Sequence, residues 1–89
     1  MYEGEDMKLF KSAYERDLDN IIAKIQMNMS NNYKDAAQLN LNELADAIEA
    51  YAGEKKIKGE TLAYYESQLG IYKERLKGFT HKDQKPYWY

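Results

Sequence analysis

His81 is the single histidine of the 89-residue chain, and Asp83, two positions on, is the nearest donor with which it could share a metal ion. Zinc takes three protein ligands at a catalytic site and four at a structural one, and with no cysteine in the chain no thiolate completes either set. His81 therefore reads as a solvated histidine. Glu43, Asp46 and Glu49 recur every three residues, a spacing that aligns carboxylates along one side of a helix, where neighbours could share a proton or a cation. No glycine-bearing calcium loop and no Glu-x-x-His pair accompanies them, so the series reads as a solvated acidic face. Ser12, Ser30 and Ser67 lack the strand-turn-helix context of an activated nucleophile, and Gly53 and Gly59 belong to no phosphate-binding loop. These residues assign no catalytic, cofactor or metal site, and the chain is expected to be non-enzymatic.

The elements that carry these residues follow from apolar spacing. Met7, Phe10, Tyr14, Leu18, Ile21, Ile25 and Met29 fall three and four apart, which predicts one long helix over about residues 5–29. Ala37, Leu41, Leu44, Ile48 and Tyr51 predict a second over about 33–52, with Gly53 in place to end it and with Asn32 or Asn40 as alternative caps at its start. Leu62, Tyr65, Leu69, Tyr72, Leu76 and Phe79 form the most regular heptad and predict a third helix over about 60–78, closed by Gly78. Ile57, flanked by lysines, is expected to plug the turn between helices two and three as a hydrophobic staple.

Three amphipathic helices joined by short connections fold most simply as an all-α, antiparallel up-down-up bundle in one domain, residues 1–89. On these boundaries helix one spans about 36 Å and helix three about 28 Å. Part of the first stripe is left over, which suggests a homodimer formed through helix one. Tyr14, Tyr51, Tyr65 and Tyr72 occupy seam positions, and each hydroxyl must find water or a hydrogen-bond partner at the rim of the core or in an interface.

Composition bounds the class. Hydrophobic residues make up 44% and charged residues 31% of the chain, too apolar for a disordered one, and no apolar run is long enough to span a membrane. The acidic start MYEGEDMKLF is unlike a secretory signal, and the lack of cysteine suits a reducing compartment, so a cytoplasmic location is expected. The net charge of −2 conceals a polarity. Residues 1–54 carry 11 acids and 5 bases, whereas residues 55–89 carry 8 bases and 4 acids.

Lys55, Lys56 and Lys58 form a basic knot at the second turn, and Lys73, Arg75, Lys77, Lys82 and Lys85 extend the basic character to the end. These groups offer a second reading, a nucleic-acid-binding module built on the Lys55–Lys58 turn and the basic C-terminal segment. The stretch around Ala45 resembles a helix-turn-helix only loosely. The turn is too long, Glu49 stands where a small residue is needed, and Tyr64, Glu66 and Gln68 replace the usual Arg, Lys or Asn of a reading helix.

The aromatic end, Tyr87, Trp88 and Tyr89, either folds back on the bundle or anchors another protein, because Trp and Tyr dominate interface hot spots. The leading expectation is a non-enzymatic regulator or adaptor that works by protein–protein interaction. Tyr87, Trp88, Tyr89, Lys55, Lys56 and Lys58 are its candidate surface, with no cofactor and no membrane partner. In size, acidity and helix content the chain resembles small helical proteins encoded by phages and mobile elements, a likeness of composition that carries no site residue.

Overall fold

The computed structural model describes the backbone of residues 11–84 and the side chains of residues 11–77. It contains three helices, α1 (Ala13–Ser30), α2 (Lys34–Gly53) and α3 (Gly59–Gln84), and no strand among the described residues. None of these helices is long and apolar enough to cross a membrane.

Helix one starts later than its apolar spacing suggests. Ser12 adopts an extended backbone, φ −71° and ψ 166°, and its hydroxyl accepts the Glu15 amide at 3.2 Å. That bond satisfies an amide with no intrahelical partner, and the Ser12-x-x-Glu15 order is the capping signature. The expected stretch 5–10 lies outside the described residues, but Ser12 interrupts any continuous helix over 5–29. This removes the length argument for pairing through helix one, since α3, with 26 residues, is longer than α1, with 18.

Both turns use the same closure. The Tyr33 amide donates to the Asn28 carbonyl at 2.8 Å and the Asn32 amide to Met29 at 3.1 Å, with Asn32 at φ 63°. The second turn repeats the pattern with Lys56 to Tyr51 at 2.8 Å, Lys55 to Ala52 at 3.0 Å, and Lys55 at φ 61°. Each is a Schellman closure, in which one left-handed residue lets two amides satisfy the last carbonyls. Asn tolerates that conformation and Lys does so at a cost of about 1 kcal/mol. Gly53, expected to take the left-handed position, is instead the last residue of α2. Asn40 does not cap a helix; its amide and carbonyl groups bond Glu43 at 3.3 Å and Asn28 at 2.7 Å while α2 runs through it.

Side-chain bonds give the register. Between α1 and α2 the partners are Asp17 with Tyr51, Lys24 with Glu43 and Asn28 with Asn40, so one number falls as the other rises and the pair is antiparallel. Between α1 and α3 they are Asp19 with Tyr65 and Gln26 with Tyr72, both 46 positions apart, so that pair is parallel. The topology is up-down-up. The core is Leu18, Ile21, Ile22 and Ile25 from α1, Ala37, Leu41, Leu44 and Ile48 from α2, and Tyr65, Tyr72 and Leu76 from α3, with Ile57 buried at the turn as a plug. Leu62 and Leu69 are only half-buried against it.

Gly78 does not end α3, which continues to Gln84, just short of Lys85-Pro86. A glycine costs about 1 kcal/mol in a helix interior, a modest penalty that neighbouring residues can offset, whereas the residue before a proline is pushed out of the helical region. At the offset of 46, Ser30 at the end of α1 stands level with Leu76. Residues 77–84 therefore extend about 12 Å past the end of α1.

Candidate interaction surfaces

The tyrosines at the seams are the structural hinge between core and surface. The Tyr65 hydroxyl donates to Asp19 Oδ1 at 2.7 Å and also lies 3.4 Å from the Glu15 carbonyl. Burial and the hydrogen bond to Asp19 hold this phenol well above the usual tyrosine range, because ionisation would place a charge in a poorly hydrated site beside a carboxylate. Gln26 donates to the Tyr72 hydroxyl at 2.6 Å, and the Arg75 guanidinium lies 5.5 Å from the Tyr72 ring centroid. Tyr51 donates to Asp17 at 2.6 Å, a bond that raises its pKa. The hydroxyls of Tyr51, Tyr65 and Tyr72 thus find partners within the chain, on α1, and so give no independent support for a dimer.

Of the basic knot, Lys56 is engaged. Its ammonium sits 5.5 Å from the centroid of the Tyr14 ring, which meets Tyr51 edge-on at 5.1 Å. This chain of contacts from Lys56 to Asp17 ties the second turn to the start of α1. Lys55 and Lys58 are exposed, with Glu54 and Glu60 close by in sequence, so the turn presents mixed charge. Lys73, Arg75 and Lys77 occupy the far part of α3, with Lys77 3.9 Å from Glu74. Lys58 precedes the first residue of α3 and Lys73 lies 15 positions on, a rise of about 22 Å, so the two basic groups sit at separate places along the helix.

Glu43 accepts from Lys24 and Asn40 on an exposed face, and the described residues hold no cluster of three or more metal-ligating side chains. His81 and Asp83 belong to the helical backbone of α3, but their side chains lie outside the described residues, as do Tyr87, Trp88 and Tyr89 altogether.

Two surface features are not captured by the core spacing. Tyr64 and Ile71, 53% and 41% exposed, form a second apolar row on α3 beside its buried heptad; their separation of seven positions was the available signal. The other is Lys11, whose ammonium reaches back to Asp19 Oδ2 at 2.7 Å. That bond raises the Lys11 pKa and leaves Asp19 shared between Lys11 and Tyr65. No protein-family model, curated protein or solved structure matches the chain.

Proposed function

We propose that this protein is a small helical regulator or adaptor that acts by binding another protein and performs no catalysis. The observation that carries the reading is the length of α3, whose residues 77–84 continue about 12 Å beyond the end of α1. Two turns of helix gain little stability in isolation, and an amphipathic helix extending from a bundle is a common way to engage a groove on a partner. The sequence of this end supplies basic residues, Lys73, Arg75, Lys77 and Lys82, followed by Tyr87, Trp88 and Tyr89, which suit an interface anchored by aromatics and ringed by charge. The absence of cysteine from the sequence supports a cytoplasmic setting.

The test is affinity capture from the native cell with the full chain and with a chain stopped after Lys82. A protein retained by the first and lost from the second supports the reading, provided both chains melt at similar temperatures. Retention by both places the binding surface outside residues 83–89, and a chain stopped after Leu76 then tests the rest of the projecting segment. A salt titration against duplex DNA addresses the nucleic-acid reading, since phosphate contacts make affinity fall steeply with salt.

A further inference from the structure

The second apolar row of α3 belongs to a longer outer face. Glu60, Tyr64, Ser67, Ile71 and Arg75 are exposed and Gln68 is half-buried, and at 3.6 residues per turn all six fall within about 100° of arc. The face adjoins the seam with α1, because the Tyr64 ring meets edge-on, at 4.9 Å, the Tyr65 ring whose hydroxyl holds Asp19. Its residues are ordered about a centre. Glu60 and Arg75 stand equally far from the midpoint between Ser67 and Gln68, and so do Tyr64 and Ile71.

That order is self-complementary in one direction only. A second copy laid antiparallel about the midpoint sets Tyr64 against the partner's Ile71 and Glu60 against the partner's Arg75, with the small Ser67 beside the twofold axis. A parallel copy would set Glu60 against Glu60 and Arg75 against Arg75. The Arg75 guanidinium, 5.5 Å from the Tyr72 centroid, is restrained by that ring, which lowers the cost of ordering it on pairing. We propose that the protein forms a weak isologous homodimer in which residues 60–75 of α3 pack antiparallel on the same residues of a second copy. The twofold axis makes each contact twice, two Tyr64–Ile71 contacts and two Glu60–Arg75 pairs. The face runs about 22 Å and is one helix wide, a contact smaller than the ~1,200 Å² at which stable interfaces begin, so the dimer dissociates on dilution. This pairing does not draw on the length of helix one, and it uses residues 60–75 rather than 77–84, so it stands apart from the proposed binding function.

Sedimentation equilibrium of the full chain from about 10 μM to about 1 mM should show a reversible monomer–dimer equilibrium. Glu60→Lys alone and Arg75→Glu alone should each weaken it about tenfold, because both symmetric pairs become repulsive, and the two together should restore it. Since the chain has no cysteine, Ser67→Cys adds a single thiol beside the axis. Oxidation should link it to the partner's thiol, whereas Leu39→Cys on the exposed side of α2 should stay unlinked. A monomeric mass at every concentration would overturn the proposal, leaving the face to the chain's own ends or to another protein. A dimer indifferent to the charge variants, not restored by the double variant, or linked as readily through position 39 would place the contact elsewhere and overturn it equally.

Discussion

Tyr65 of α3 donates its hydroxyl to Asp19 of α1 at 2.7 Å, and Tyr72 meets Gln26 one heptad later at the same offset. These pairs align the two parallel helices. Their rings fill the space between α1 and α3 while their hydroxyls reach polar atoms at its margin, so burial of a large aromatic surface leaves no buried side-chain polar atom without a partner among the described residues. Tyr65→Phe should cost about 1 to 2 kcal/mol, since a bond to a carboxylate is lost but Asp19 retains Lys11. Chemical denaturation measures this. A double-mutant cycle with Asp19→Ala should show positive coupling, and an additive result would mean that the bond contributes nothing to the register.

Alkaline pH provides a second test of the same residue. In the folded chain Tyr65 is held above its ordinary value of 10.0, chiefly by burial and then by the bond to Asp19. Its contribution to stability is complete below about pH 10, where the phenol is neutral in folded and unfolded chains alike. Above that pH the unfolded chain ionises first, so stability falls as pH rises. Melting temperatures measured from pH 8 to 11 should decline at the upper end, and Tyr65→Phe should flatten the decline. Tyr51, raised mainly by its bond to Asp17, adds to it in the same direction.

The second turn contains a residue in a conformation that its side chain disfavours. Lys55 sits at φ 61° with its side chain exposed, so Lys55→Gly should stabilise the fold by about 0.5 to 1 kcal/mol. Gly59, at φ 60° with open space where a methyl group would stand, should behave oppositely, Gly59→Ala costing about 1 kcal/mol through backbone strain alone. Thermal melts of both variants decide the matter, and a destabilised Lys55→Gly would contradict the turn geometry.

Core truncations should separate the heptad of α3 from the centre of the bundle. Leu44 is fully buried, so Leu44→Ala should cost about 2 to 5 kcal/mol. Leu69 is half-buried, and Leu69→Ala should cost clearly less than Leu44→Ala, about 1 to 2 kcal/mol by area. Equal losses would mean that α3 is seated more deeply than its exposure indicates.

The apolar spacing of α2 and α3 made their buried faces legible, including Leu41, Leu44, Ile48, Tyr65, Tyr72 and Leu76, because the most regular stripe of each helix is the one that faces the core. Ile57 was legible as the turn plug for the same reason. The start of α1 was misread because spacing through Met7 and Phe10 competed with a capping signal at Ser12, and the side-chain bond to the backbone prevailed. Gly53 and Gly78 misled in a common way. Glycine favours a helix end without imposing one, whereas hydrogen-bond closure two residues on, and Lys85-Pro86 beyond α3, mark the ends observed. That tyrosine hydroxyls need partners was legible; that three of those partners lie on α1 required the register.

Binding of another protein by the projecting end of α3 is tested most directly by photo-crosslinking in the native cell from a benzophenone side chain at position 82, with position 39 on α2 as the control. One recurrent heterologous adduct is expected from position 82, with none in common with position 39. Adducts to nucleic acid or only to other copies of this chain, or an equal pattern from the two positions, would contradict it.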